Sequence, residues 1–353
     1  MDSIDLNFVR KAYRTFSKSK KAQLSIDELN KILILYLGAD NFTSNIHKLR
    51  CCNDELSGYL IIFKNNRIFF PLTSAFEFKR DFIPIWGGVL NEAEVSFPPY
   101  INFGSLGEFI VKIKECHNEH DKVIIGNKAL STFFPPSALA TLAINLYPKF
   151  TALADTHLQI KESIESYSMG HYRSAITTLI PCIENAIREL GKRHGLNEPS
   201  NVGTAFLIKI INKSMLAHIQ GFILRDFDWY PQQIASVSFF GKFEERIQMM
   251  MNFKSYIENH LYQVTQNYSG RSNLNRHSIV HGFTSNYHSR ENYLRLINVL
   301  NSVCFMLTFS GEHVSLFFPN ETLDSSKLSL LLSILERTGI ERARFLDENS
   351  ILR

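Results

Sequence analysis

The segment Ser272-Asn273-Leu274-Asn275-Arg276-His277-Ser278-Ile279-Val280-His281-Gly282 holds one arginine and two histidines within six residues and ends on a glycine. A guanidinium fork grips two phosphoryl oxygens at once, and an imidazole carries a proton near neutral pH. With no cysteine or carboxylate among them, these groups point to phosphoryl chemistry without a metal. Spacing alone carries little, because 18 arginines and 12 histidines in 353 residues produce about 0.6 chance occurrences of an arginine five positions before a histidine. A looser pair, Arg188 and His194, shows how cheaply such spacings arise. The setting of the segment carries the reading.

That setting is helical on both sides. Upstream, Phe243 to Ile257 places apolar residues at three- and four-residue intervals. Downstream, Ser289 is positioned to cap a helix whose Tyr293, Leu294, Ile297, Leu300, Cys304 and Leu307 recur at the same spacings. Between them, Ser272 as N-cap and Gly282 as C-terminal stop predict a helix of about two to three turns. His277 and His281, four apart, then share a face, whereas Arg276 and His281 sit roughly 140° apart around the axis. A histidine in the last turn has its charged form favoured by the carbonyl end of the helix dipole, which suits a proton donor.

Arg276, the polar His277, three spacers and His281-Gly282 ahead of a final long helix resemble the Arg-polar-x-x-x-His signature of the HEPN superfamily (higher eukaryotes and prokaryotes nucleotide-binding). The stretch Tyr167 to Leu190, with its aromatic and small-residue start and mid-helix Glu184, is similar to the opening helix of such domains. The resemblance covers roughly residues 155 to 312. It implies an all-α bundle that dimerises so that two motifs face each other, and a metal-independent endoribonuclease of the kind found in toxin and phage-defence systems. Carried onto this chain, Arg276 holds the scissile phosphate, and His281 takes the ribose 2′-hydroxyl proton or returns one to the leaving oxygen, with His277 in the variable polar slot. Products end in a 2′,3′-cyclic phosphate, and no cofactor is needed. An antitoxin or regulatory protein is an implied partner beside RNA and a second copy.

Glu184 either orients these basic groups or serves as the structural partner of a buried arginine, and Asn275 and Arg271 flank the motif as supporting groups. From Tyr268 to Arg295 the chain carries four arginines against one acid, Glu291, with aromatic residues interleaved. Arg271, Tyr268 and Arg290 are therefore candidates for gripping a strand and stacking bases. The competing reading takes Arg276 and the histidines as scaffold. The helical part is then a non-catalytic module that binds a nucleotide or a protein.

Composition sets the bounds. Net charge is +4, with 18 basic against 15 acidic residues up to position 150 and 20 against 19 beyond it, so neither part is a broadly basic nucleic-acid wrapper. There is no phosphate-binding glycine loop, dinucleotide fingerprint or nucleophile elbow. The stretch Glu115 to Asp121 is rich in ligand atoms but lacks a second Cys or His pair at metal spacing, so it reads as a solvated connector and no metal site is expected. Five cysteines without repeated spacing read as reduced thiols. No apolar run is long enough to span a bilayer, the start is unlike a signal peptide, and a cytoplasmic protein with no membrane partner is expected.

The predicted architecture is predominantly α. An α+β module occupies residues 1–152, and an all-α HEPN-like bundle with C-terminal helices occupies 153–353. In the first, Ser25 to Glu28 is a capping box, and Gly58 to Leu72 reads as two strands joined at Asn65-Asn66. Val123-Ile124-Ile125 is a further candidate strand. The tail is expected to add one or two helices, at Lys327 to Arg337 and Ile340 to Leu346.

Overall fold

A computed structural model describes residues 6–18, 25–39, 41–51, 54–72, 81–197 and 202–349. In chain order the elements are α1 (Leu6–Lys18), α2 (Ile26–Leu37), β1 (Phe42–Cys51), β2 (Asp54–Phe63), β3 (Asn66–Pro71), α3 (Phe82–Glu92), α4 (Phe103–Glu115), α5 (Glu119–Phe133) and α6 (Pro136–Thr141). There follow α7 (His157–Ser168), α8 (Tyr172–Arg193), α9 (Thr204–His218), α10 (Val237–Phe240), α11 (Glu245–Tyr256), α12 (Arg276–Val280), α13 (Arg290–Thr308) and α14 (Leu323–Glu348). The protein is predominantly helical with one small antiparallel sheet in an α+β N-terminal module. Contacts divide it into two compact units, residues 1–83 with 215–248 and residues 84–214 with 249–353. Residue 152, where the sequence suggests a boundary, falls inside the second unit.

The first unit is built on the sheet β1-β2-β3. Phe63 pairs with Asn66, so the β2–β3 turn is Lys64-Asn65, one residue earlier than the sequence suggests. Both turn residues have positive φ, 49° and 64°, which matches the right-handed twist of a two-residue hairpin. Asn66 is a strand residue whose amide donates to the Lys64 carbonyl at 2.8 Å. The capping box forms as expected, with Ser25 and Glu28 exchanging hydrogen bonds at the start of α2. Val9, Phe16, Leu29, Leu33, Tyr59, Ile61 and Phe70 make the core between the sheet and α1 and α2. Burying each large apolar side chain contributes roughly 1.5–3 kcal/mol. Residues 226–229 close one edge of the sheet, with the Phe69 amide donating to the Trp229 carbonyl and the Asp228 amide to that of Arg67.

The second unit is helical. Val123 to Ile125 lies inside α5, not in a strand. Asn118 caps that helix by accepting from the Asp121 amide, and Val123, Gly126, Ala129, Leu130 and Phe133 are buried at helical spacing. One cap and a continuous apolar face outweigh three β-branched residues. The expected connector at Glu115 to Asp121 shrinks to the residues between α4 and α5, since Glu119 and Asp121 belong to the first turn of α5.

At the centre, α13 is buried on all sides from Asn292 to Leu307. The cap at Ser289 is present, accepting from the Asn292 amide at 3.1 Å. Such a helix must satisfy its own polar side chains. Asn298 donates to the Ser96 carbonyl, and Asn301 accepts from the Tyr147 hydroxyl. Helix α8 packs on α7 and α13 and carries Pro181 in its interior, which removes one backbone donor shortly before Glu184.

The tail is one helix, α14, not two. Gly339 does not break it, because it is the residue that lets the helix approach the Met169 backbone. Cys51, Cys116, Cys182 and Cys304 are free thiols, and Cys52 lies outside the described residues. Among the described residues, no single helix is long and apolar enough to cross a membrane.

Candidate functional site

The motif occupies α12, a helix shorter than its sequence suggests. Its N-cap is Asn275 rather than Ser272: the Asn275 side-chain oxygen accepts from the Ser278 amide at 2.9 Å, while its NH2 group donates to the Gln263 carbonyl at 2.7 Å. Asn275 is fully buried, so this amide joins cap and scaffold and is not available to a ligand. Ser272 stays outside the helix because its amide, at 2.9 Å, and that of Arg271, at 2.5 Å, both donate to the Glu94 carboxylate.

Burial pushes the Glu94 carboxyl up. The hydrogen bonds from Ser272 and Arg271, with the nearby Arg295 charge, outweigh that and hold it below the usual carboxylate range. Arg295 in turn donates to the Glu94 carbonyl and to Asn127. This clamp fixes the loop before the motif, and nothing in the sequence around Glu94 announces it. At the other end the expected stop is present: Gly282 has φ +72°, and the amides of Gly282 and Phe283 return to Ile279 and Ser278 carbonyls.

Within α12 the basic groups part. Arg276 turns inward, 7% exposed, and its Nε donates to the carboxylate of Glu184, also 7% exposed. Glu184 also faces Arg188 Nη2 at 3.6 Å, so two guanidinium groups share one carboxylate. Tyr262 lies against this cluster, its phenol pushed up by burial and by the Glu184 charge. His277 and His281 face outward and are exposed, their ring centroids 4.4 Å apart as the four-residue spacing predicts. Phe283, 70% exposed, stands about 6 Å from both rings.

Arg276 and His277 nevertheless line one cavity of about 700 Å³, with Thr204, Tyr262, Gln263 and Phe283. It offers amides, hydroxyls and aromatic faces beside a guanidinium and an imidazole. These are the groups that meet a phosphate and a base. Phe283 is one of the aromatic residues interleaved in the basic stretch from Tyr268 to Arg295, and Tyr262 and Gln263 join the site without having been singled out in the sequence. Their only signal there is proximity to the motif.

The remaining candidates are engaged elsewhere in the same unit. Arg271 pairs with Glu119 at 3.1 Å on the surface. Tyr268 donates to or accepts from Ser272 at 3.3 Å, and burial pushes its phenol up to about 12. Arg290 donates to the Tyr167 hydroxyl at 3.0 Å and pairs with Glu336 at 3.0 Å. Neither Arg271, Tyr268 nor Arg290 lines the Arg276 cavity. The structure thus brings together Arg276, Glu184 and His277 with His281 alongside, and sets the three expected strand-binding residues apart from them.

No protein-family model, curated protein or solved structure matches the chain.

Proposed function

We propose that the protein is a metal-independent endoribonuclease of the HEPN type, acting on RNA as a homodimeric toxin or defence effector under the control of a regulatory protein. The observation that carries this reading is the shared cavity: Arg276, held by Glu184, and His277, in ring contact with His281, reach it from consecutive positions of α12. In the reaction, the ribose 2′-oxygen attacks the neighbouring phosphorus as the bond from phosphorus to the 5′-oxygen breaks. His281, with His277 beside it, takes the 2′-hydroxyl proton and returns one to the leaving oxygen. Arg276 offsets the charge that grows on the phosphoryl oxygens. The expected ends are a 2′,3′-cyclic phosphate and a free 5′-hydroxyl.

Incubating purified protein and His281→Ala with mixed transfer and messenger RNA in EDTA, then analysing fragment ends, tests this. Cyclic ends made by wild type and lost in the variant support the reading, and cleavage that survives His281→Ala refutes the assigned role.

A second reading has an observation of its own. Arg276 is nearly as buried as core residues and is already matched by Glu184, the arrangement of a structural ion pair. In that case the helical unit binds a nucleotide or a protein without cleaving anything.

A further inference from the structure

The Arg276 cavity is larger than a phosphate requires. At about 700 Å³ it falls in the range that encloses a whole organic ligand, so a phosphoryl group at Arg276 leaves most of the space for whatever that phosphate is attached to. Val202, Tyr262 and Val264 share the wall with Gln263 and Gln266. Phe283, also on the wall, is 70% exposed, with its ring about 6 Å from those of His277 and His281. Its place is set by the backbone, since the Phe283 amide donates to the Ser278 carbonyl at 2.8 Å.

The backbone and the side chain of Gln263 have different duties. The backbone carbonyl belongs to the scaffold, accepting from Asn275 at 2.7 Å, and the neighbouring Tyr262 carbonyl accepts from Thr204 Oγ1 at 2.7 Å. The side-chain oxygen Oε1 is shielded from solvent, yet it meets no donor among the described residues. A shielded acceptor without a donor is unfavourable, and a donor brought by a ligand relieves it. Rotation about the side-chain bonds of Gln263 carries this amide into the cavity that the residue already lines.

We propose that the cavity is a base-reading subsite, in which a nucleobase beside the scissile phosphate stacks on Phe283 and pairs with the Gln263 amide, with adenine preferred. A glutamine amide presents an acceptor and a donor side by side. Adenine answers both: its exocyclic amine donates to Oε1, and the adjacent nitrogen of its five-membered ring accepts from Nε2. Guanine offers only acceptors on that edge, so Oε1 would face a carbonyl oxygen. Cytosine keeps the amine but lacks the second ring, and uracil lacks both. Stacking on Phe283 serves every base, because each has a π face, whereas the amide makes the choice. The inference rests on the ribonuclease reading for the place of the phosphate, and it adds which bonds are cut.

Fluorescence anisotropy of the full chain with 2′-O-methyl uridine hexanucleotides, in which one central base is A, C, G or U, measures the choice without cleavage. The adenine oligomer is expected to bind about tenfold more tightly than the guanine and all-uridine ones. Gln263→Leu keeps the backbone carbonyl that Asn275 needs and should erase that difference. Phe283→Ala should weaken all four by about tenfold, and Phe283→Trp should restore them. Circular dichroism verifies that each variant is folded. The same oligomers with ordinary 2′-hydroxyls, scored for cyclic-phosphate ends, separate this inference from the reading beneath it. Cleavage without base preference overturns the subsite and leaves the ribonuclease standing. Adenine-selective binding that Gln263→Leu abolishes, with no cleavage, upholds the subsite and removes the ribonuclease. Equal affinity for the four, a preference for guanine or uracil, or an adenine preference that survives Gln263→Leu overturns the proposal, as does the absence of binding.

Discussion

Glu184 and Arg276 meet inside the helical unit although 92 positions separate them in the chain. Each is at most 7% exposed, so removing one leaves the other charged and enclosed. Breaking a buried pair in this way typically costs about 3–5 kcal/mol, whereas replacing both partners with apolar groups of similar size costs much less. Glu184→Ala should lower the unfolding free energy measured in urea by an amount of that order, and Arg276→Ala by less, because Arg188 stays 3.6 Å from the Glu184 carboxylate. The double variant Arg276→Met with Glu184→Leu should recover most of it. Equal losses in the single and double variants would show that the pair does little for stability.

The two histidines make the opposite prediction. His277 and His281 are exposed and belong to no buried network, and surface substitutions of that kind shift stability by no more than about 0.5 kcal/mol. His281→Ala should therefore melt with wild type while losing the ability to generate cyclic-phosphate ends. Thermal unfolding run beside the cleavage assay separates the two effects. A large drop in melting temperature would assign His281 to the scaffold.

The ends of α12 are held by Asn275 and Gly282. Asn275→Ala removes a cap and strands the Gln263 carbonyl, and should cost about 1–2 kcal/mol. Gly282→Ala forces a Cβ into the left-handed region at φ +72°, at about 1 kcal/mol. Both should also blunt cleavage, since α12 aims Arg276 and the histidines. Native-state hydrogen exchange at the Ser278 and Phe283 amides reports the loosening directly, and unchanged protection in both variants would refute it.

What was legible in the sequence was local. The capping box at Ser25, the strands on either side of Lys64-Asn65, the cap at Ser289 and the stop at Gly282 all rest on side chains and backbone within a few residues of one another. What was not legible depends on distant partners. Ser272 has the chemistry of a cap, but its amide is taken by Glu94 from 178 positions away, so the start of α12 moves to Asn275. Val123 to Ile125 favours a strand only until the buried face of α5 is known. Arg290 reads as a solvated, strand-gripping arginine in sequence, yet it is tied to Tyr167 and Glu336 by the packing of α7 and α14. The spacing of the motif likewise fixed that the histidines share a face, while the inward turn of Arg276 required knowing where Glu184 lies.

Acid should weaken the protein in two stages. Burial lowers the pKa of His194, helped by the Lys213 charge, and burial likewise lowers that of His260 against the pull of Glu94. His194 sits between Ser214 and Ser310, with its Nε2 within 3.1 Å of each hydroxyl. Both rings are therefore harder to protonate in the folded chain than in the unfolded one. Their contribution is fully present above the ordinary histidine value of 6.5 and is lost as pH falls below it. Glu94 has a folded pKa below its ordinary value of 4.5, so its contribution is lost lower down, as pH drops beneath 4.5. Melting temperature should thus decline from pH 7.5 to 5.5 and again below 4.5, and His194→Gln should shrink the upper step to the share of His260 while leaving the lower step in place. A melting temperature that rises between pH 7.5 and 5.5 would contradict the assignment.

Gly339 gives the most direct check on how α14 is seated. A Cβ at that position would come within 2.7 Å of the Met169 carbonyl carbon and oxygen and 3.1 Å of the Ser168 carbonyl oxygen. These are backbone atoms at the end of α7, followed at once by Gly170 with φ +76°, and they have no rotamer with which to yield. Alanine is the better helix former by about 1 kcal/mol, so on an isolated helix Gly339→Ala would stabilise. In the folded unit the helix must instead lift from α7, at about 1–3 kcal/mol for such overpacking, and the Arg290–Glu336 pair one turn away should loosen with it. Chemical denaturation of the full chain and circular dichroism of a peptide spanning Leu323–Glu348 should therefore move in opposite directions. If alanine stabilised both, α14 would not make the close approach that its buried glycine implies.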